Sequence, residues 1–419
     1  MDNTPKGNRL HIALLGRTNV GKSSLLNLML GQDIAITSPI AGTTTDIVEK
    51  AMELLPLGPV LFLDTAGLDD ISELSGARLK KTGKVFDRTD VIILVTEADT
   101  WTDYEEAVLT EAQSRKIPIL IVINKSDLRE PSPDHLKFLQ SKSDRMLTIS
   151  CNDETQRQNY LVALKQQLLE VAPADFIGIP SLIGDLLQPG ELAVLVVPID
   201  LEAPKGRLIL PQVQTIRDAL DGDAMTLVVK ERELSAVLAN LKTPPAIVVT
   251  DSQAILKVTA DVPPEIPVTT FSILFARQKA DLSLMARGAA AIGYLQPGDR
   301  VLIAEACSHH ALEDDIGRVK LPRWLRQYVG GDLQIDTSAG RDYPDDLKKY
   351  KLILHCGACM MNRREMINRL RKANEAGVPV TNYGVAISFL QGVIKRSLAS
   401  FPSALLAFET EMRKQEICR

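Results

Sequence analysis

The sequence predicts an α/β protein made of three units in a row. Strand-length apolar runs alternate with amphipathic helical stretches through most of the chain. That rhythm breaks at two segments rich in Pro and Gly or in Pro alone, Ala172–Gly190 and Asp261–Pro267. A length of 419 residues suits two to four domains, each able to bury a core of its own. The expected division is therefore residues 1–172, a linker over 173–190, a small unit over 191–263, and a last unit over 264–419.

Composition narrows the function classes. A hydrophobic fraction of 45% with 24% charged residues excludes a mostly disordered chain. A net charge of −5 gives no polybasic reason to expect nucleic acid or an anionic membrane. Aromatic residues make up only 4%, too few for abundant base-stacking platforms. No apolar run approaches the ~18 residues of a membrane helix. The N-terminus MDNTPKGNRL lacks the apolar core of a secretory signal. The expectation is a cytoplasmic protein without membrane or nucleic-acid partners.

In the first unit, the apolar strand Leu10–Leu15 runs into Gly16-Arg17-Thr18-Asn19-Val20-Gly21-Lys22-Ser23, and Ser24 onward opens a helix. This is a phosphate-cradling loop in its proper strand-to-helix context. Glycines let successive backbone N–H groups turn toward a phosphate, Lys22 reaches the terminal phosphates, and the Ser23 hydroxyl ligates Mg2+. The strand Val60–Leu63 delivers Asp64-Thr65-Ala66-Gly67, in which Asp64 can hold Mg2+ through water and the Gly67 N–H can bind a γ-phosphate. Val91–Thr96 and Ile117–Ile123 are further strands, and the second ends in Asn124-Lys125-Ser126-Asp127. The Asp127 carboxylate can accept guanine N1–H and N2–H together, a pairing adenine cannot offer. Leu147–Ser150 leads to Ser150-Cys151-Asn152, where a backbone N–H can meet guanine O6. Gly16, Asn19, Val20, Gly21, Lys22, Ser23 and Ser24 thus form the phosphate side of a GTP/GDP site, and Asn124, Lys125, Asp127, Ser150 and Cys151 its base side.

This unit resembles the translation-factor class of GTPases, in particular the Era-like and tRNA-modification branch. Ala41-Gly42-Thr43-Thr44-Thr45-Asp46 is similar to that branch's Gly-Thr-Thr-Arg-Asp switch, with Thr45 in place of arginine. By that register Thr44 is the Mg2+ threonine, with Thr43 adjacent. Leu68 follows the Asp-Thr-Ala-Gly motif where Ras-like enzymes keep a water-orienting glutamine, so the catalytic group is unknown. Asn19 lies where K+-activated members of the branch use an asparagine to ligate that ion. The resemblance implies K+ in the role of an arginine finger and a slow, K+-stimulated hydrolysis of GTP. The bland alternative for Asn19 is a turn residue.

The middle unit has strand-like runs at Leu192–Val197, Thr226–Val229 and Ile247–Thr250, separated by helical stretches around Val213–Leu220 and Arg232–Leu241. It carries no Cys and no His, which favours a structural or assembly module. So small a core points to burial against a twin subunit, a homodimer.

The last unit holds the chemistry left over. The chain has five cysteines, an odd number, so a disulfide framework is a poor reading. Three of them, Cys307, Cys356 and Cys359, share this unit with His309, His310 and His355. The strand Val301–Ala306 ends in Cys307-Ser308-His309-His310, and Leu352–Leu354 ends in His355-Cys356-Gly357-Ala358-Cys359. Both segments would lie past the carboxyl ends of strands, where open α/β sheets bind ligands. The Cys-x-x-Cys pair would stand at the N-terminus of a helix over Met360–Ala373, whose positive end favours an anionic cluster. Three thiolates with imidazoles suit either a structural zinc site or a 4Fe–4S cluster held by three Cys. A redox pair explains neither Cys307 nor the histidines.

The whole chain resembles the FeFe-hydrogenase maturation GTPases, the HydF family. The resemblance rests on the GTPase unit, on Pro204-Lys205-Gly206-Arg207-Leu208-Ile209-Leu210-Pro211-Gln212, and on the Cys-x-His…His-Cys-x-x-Cys pattern, in that order. It implies a P-loop GTPase domain, a small α/β dimerisation domain and a Rossmann-like α/β iron–sulfur domain. It also implies Cys307, Cys356 and Cys359 as ligands of a 4Fe–4S cluster, with His309 or His355 as fourth ligand or as a hydrogen-bonding support. The cargo would be a di-iron precursor made with two radical-SAM maturases and passed to apo FeFe-hydrogenase. The competing reading is a ribosome- or tRNA-acting GTPase with a zinc-stabilised C-terminal domain, for which the basic run Arg363…Lys372 would be the RNA footprint.

Overall fold

The computed structural model describes residues 4–30, 48–64, 83–173, 180–198, 208–306, 315–340 and 342–417. The chain divides into two compact units, residues 1–179 and 180–419.

The first unit is a six-stranded sheet in the order β2-β3-β1-β4-β5-β6. Its central strands β1 (Leu10–Leu15), β4 (Val91–Glu97) and β5 (Ile119–Asn124) are buried along almost their whole length. Continuous burial is what parallel strands covered by helices on both faces require. All pairings are parallel except β2 (Val48–Leu54) with β3 (Gly58–Asp64). β2, with its mixed sequence Val-Glu-Lys-Ala-Met-Glu-Leu, is an edge strand that apolar-run reading misses. β6 is short, Met146–Thr148. The helix Asp103–Ser114 starts at a capping box, in which the Glu105 carboxylate accepts from the Thr102 N–H at 2.9 Å.

The second unit contains two four-stranded parallel sheets of the same winding. One runs β10-β9-β7-β8, the other β12-β11-β13-β14. In the first, β7 (Leu192–Val196) pairs with β8 (Met225–Val229) and β9 (Ile247–Thr250), and β9 with β10 (Val268–Thr270). In the second, β11 (Arg300–Ala304) pairs with β12 (Gln334–Ser338) and β13 (Leu352–His355), and β13 with β14 (Val380–Asn382). One apolar cluster runs through both, joining Leu195 and Val249 to Phe271, Phe275, Met285, Leu302 and Ile353. Gly288, in the helix Leu282–Ala290, allows the closest approach, since a Cβ there would stand 1.9 Å from the Val380 carbonyl oxygen.

Two expected boundaries differ. The linker 173–190 is not all linker, because the Asp218 carboxylate accepts from the N–H groups of Ile183 and Gly184 at 2.8 Å and from the Ser181 hydroxyl at 2.6 Å. These bonds tie residues 181–184 onto the helix Leu210–Asp221. Nor does the middle sheet end at residue 263, since β10 beyond Asp261–Pro267 is its edge strand. The prolines follow the end of the helix Ile255–Asp261 without ending the domain. Among the described residues, no helix is long and apolar enough to cross a membrane.

Candidate functional site

The phosphate loop leaves β1 at Gly16 and enters the helix Lys22–Leu30. Two glycines are required there by space. A Cβ on Gly16 (φ +153°) would lie 2.4 Å from the Val95 carbonyl oxygen, and one on Gly21 (φ +97°) 2.1 Å from Asn124 Nδ2. Asn19 takes the left-handed region at φ 65°, a conformation asparagine tolerates. Lys22 is buried, and its Nζ donates to the carbonyls of Gly16 at 2.6 Å and Arg17 at 2.9 Å. The ammonium thus lies along the loop's own carbonyls, where a phosphate would meet it. Asp64 is buried at the carboxyl end of β3, as a Mg2+-facing carboxylate should be.

The base side is anchored by Asn124, 2% exposed at the end of β5. Its Nδ2 donates to the Val20 carbonyl at 2.9 Å, and its Oδ1 accepts from the Cys151 N–H at 3.1 Å. The Cys151 N–H, one of the backbone groups of Ser150-Cys151-Asn152, is therefore engaged with Asn124. Asp127 accepts from the Ser150 hydroxyl at 2.5 Å, which fixes one carboxylate oxygen. Burial, and secondarily the charge of Asp127, pushes the Cys151 thiol up to about 12. Lys125 (φ 62°) pairs with Glu97. Ser23 is exposed and Ser24 partly buried at the head of the helix. Thr43, Thr44, Thr65 to Leu68 and therefore Gly67 lie outside the described residues.

Sequence reading missed two supports of this loop. The Gly16 N–H donates to the Tyr104 hydroxyl at 3.2 Å, and Arg17 Nε to the fully buried Glu105 at 2.8 Å. Both partners are about 88 residues away, beyond the reach of any local pattern.

The cysteine loop is in the second unit. The winding order of its last sheet reverses between β11 and β13, and the crevice at the carboxyl ends of such a pair is where doubly wound sheets bind ligands. Ala304 pairs with His355, so the chains leave the sheet side by side. The Cys356 N–H donates to the Ala304 carbonyl at 2.9 Å, and the Ala306 N–H donates to Cys356 Sγ at 3.0 Å. Ala358 adopts φ 53° and turns the loop between the two cysteines. Burial raises the Cys359 thiol, against which the Lys279 charge and the N–H groups of Cys359 and Met360 pull it down.

Backbone N–H groups directed at sulfur stabilise thiolates, so the donor chemistry here fits thiolate ligation of the iron–sulfur or the zinc kind. Cys307, His309, His310 and Cys418 lie outside the described residues, as do Lys205, Gly206 and Arg207. Among the described residues no group of three His, Cys, Asp or Glu converges as a metal site.

One expectation about this loop changes. The helix begins at Arg363, not Met360, because the Asn362 side chain caps it by accepting from the Glu365 N–H at 3.1 Å. The N–H groups that reach Cys359 belong to the loop and not to the helix end. His355 is fully buried, with Nδ1 3.0 Å from the Cys356 carbonyl oxygen and Nε2 3.3 Å from Arg369 Nη1. The arginine must donate, so Nε2 accepts and Nδ1 carries the proton. Burial and then the Arg369 charge push this imidazole down to about 3. Arg369 in turn donates to the Gly340 carbonyl at 2.6 Å and lies 4.9 Å over the Tyr343 ring. With both ring nitrogens engaged, His355 braces the loop from beneath.

Comparison with known proteins follows the same division. Residues 11–125 match the 50S ribosome-binding GTPase family, residues 182–280 the hydrogen maturase F dimerization domain, and residues 283–400 the hydrogen maturase F tetramerization domain. The chain belongs to the hydrogen maturase F family. Its N-terminal unit is a GTPase domain, and its other two domains are those by which hydrogen maturase F oligomerises.

Curated relatives match the GTPase part. The tRNA modification GTPase MnmE of Prochlorococcus marinus (strain NATL2A) is 37% identical over 172 residues, 39% of this chain and 37% of the relative. GTPase Der of Sulfurimonas denitrificans is 33% identical over 33% of this chain and 28% of its own. The chain thus spans about a third of the length of these relatives. Among solved structures, Era from Aquifex aeolicus is 19% identical with a TM-score of 0.31, covering 52% of this chain and 93% of Era. The G domain of T. maritima FeoB is 19% identical with a TM-score of 0.29, covering 39% and 98%.

Proposed function

We propose that this member of the hydrogen maturase F family is a GTP-hydrolysing scaffold and carrier. It would bind a 4Fe–4S cluster through Cys307, Cys356 and Cys359, and pass a di-iron precursor, its cargo, to apo FeFe-hydrogenase. The observation that carries the reading is the pairing of β11 with β13, which brings the ends of both cysteine-bearing strands to one crevice of a sheet matched by the family's own domain. The cluster, when bound, supplies an iron to which cargo can be attached and released, since three cysteines leave one iron with an exchangeable ligand. The chain's own groups do the rest. The Ala306 N–H and the turn at Ala358 orient the sulfurs, and His355 with Arg369 holds the strand end that carries them.

GTP and Mg2+ would occupy the phosphate loop, with Lys22 on the terminal phosphates, Ser23 and Thr44 on the metal, Asp64 acting through water, and Asp127 reading guanine. Potassium at Asn19 would stand in for the arginine that other GTPases use. The nucleotide state would govern encounters with two radical-SAM maturases and with the hydrogenase, and the cluster chemistry would proceed without it. Assembly as a homodimer belongs to the same reading.

The test is iron and acid-labile sulfide on the anaerobically reconstituted full chain, with EPR after dithionite reduction. About four irons and four sulfides per chain are expected, with the signal lost in Cys307→Ala. One tightly held zinc and no reconstitutable cluster would overturn the carrier reading and turn the search toward an RNA target.

A further inference from the structure

We propose that Lys279, the last residue of the helix Phe271–Lys279, tunes the cluster held by the cysteine loop, placing a cation of the dimerization domain beneath a ligand of the neighbouring domain. The inference rests on the carrier reading above. The helix closes the segment matched as dimerization domain, which ends at residue 280, and the cysteine loop belongs to the segment matched as tetramerization domain. The helix end is fastened to the loop at two points. Lys279 is 4% exposed, and its Nζ donates to the Met361 carbonyl at 3.2 Å, two residues past Cys359. Arg363 Nε donates back to the Gln278 carbonyl at 3.2 Å. The helix is anchored on its other side by Gln278 Nε2, which donates to the Pro180 carbonyl at 3.1 Å.

The electrostatics follow from the position. A cluster held by three thiolates is anionic and gains another negative charge on reduction. A buried ammonium bonded to the loop that carries one of those thiolates acts through a medium of low dielectric and favours the reduced form. Among the described residues, Glu305 is matched by Arg318 at 2.8 Å and Glu365 by Arg369 at 3.3 Å. Lys279 is therefore positioned to set the charge balance at Cys359, and the charge travels with a helix of the oligomerisation segment.

The experiment compares the full-length parent, Lys279→Gln and Lys279→Arg after anaerobic reconstitution, reading iron and sulfide content and the midpoint potential by EPR-monitored titration. Lys279→Gln is expected to disfavour reduction about tenfold, a negative shift of about 59 mV for one electron, whereas Lys279→Arg stays near the parent. Loss of the cluster from Lys279→Gln but not from Lys279→Arg supports the same role, because Lys279→Arg keeps the positive charge. Equal potentials in all three proteins overturn it, as does equal cluster loss in both variants. A parent that takes up no iron and sulfide sinks the carrier reading itself, whereas a loaded parent with an unshifted Lys279→Gln sinks only the role of Lys279.

Discussion

Asn124 joins the two halves of the nucleotide site: its amide donates to the Val20 carbonyl at 2.9 Å while its oxygen accepts from the Cys151 N–H at 3.1 Å. One buried side chain at the end of β5 therefore sets the distance between the phosphate loop and the base loop. Asn124→Ala leaves a buried carbonyl and a partly buried N–H without these partners, which costs about 1–3 kcal/mol. The expected result in the full chain is a lower unfolding midpoint for the GTPase transition and at least about tenfold weaker binding of a fluorescent GTP analogue. Gly21→Ala, whose Cβ would lie 2.1 Å from Asn124 Nδ2, should lower affinity comparably. Unchanged affinity in both variants would remove Asn124 from this role.

The Cys151 thiol gives a pH test. Burial raises it from near 9 to about 12, so it stays protonated where an exposed cysteine begins to ionise. The sign is that of an acid whose folded pKa is raised: its contribution to stability is intact below about 9 and is lost as pH rises from 9 toward 12, where the unfolded chain gives up the proton first. Alkylation of Cys151 at pH 8 should run at least about a hundredfold slower than that of a free thiol, because the thiolate is the nucleophile. Peptide mass spectrometry on a timed iodoacetamide series measures it, and a rate matching unfolded protein contradicts it.

Hydrolysis should depend on the cation. GTP turnover is expected to be faster in potassium than in sodium buffer at equal ionic strength. Asn19→Gly, which keeps the left-handed backbone and removes the amide oxygen, should abolish the preference. Identical rates of the parent in the two salts would end the potassium assignment.

The edge of the middle sheet is the place to look for the oligomer. Among the described residues β8 ends the sheet β10-β9-β7-β8, and Met225 and Val228 on it are 53% and 41% exposed. A strand edge carrying exposed apolar side chains is a template for pairing unless charge blunts it. Val228→Lys should shift the mass measured by light scattering from an oligomer to a smaller species. A mass equal to that of the parent would place the seam elsewhere.

Much of this protein is written locally. β1, β4 and β5 announce themselves as continuous apolar runs because strands buried on both faces have no polar side to show. The phosphate loop is legible because its glycines are set by backbone space, and Cys-x-x-Cys because two sulfurs on one turn need that spacing. β2, β12 and β14 are hard to read for the opposite reason. β2 and β12 are edge strands of mixed polarity, and β14 has three residues, so their pairing is decided by neighbours and not by periodicity.

The sequence by itself determined a guanine-nucleotide loop, a cysteine-bearing strand end and the order of the units, since each follows from residues adjacent in the chain. Only the tertiary structure decided that Asn124 bridges the two nucleotide loops, that Tyr104 and Glu105 hold the phosphate loop, that Arg369 engages His355, and that Lys279 lies under Met361. Those contacts span from 14 to 104 positions. They exist because sheet winding and core packing bring distant side chains to the carboxyl ends of the same strands, and no local pattern of residue types encodes that meeting.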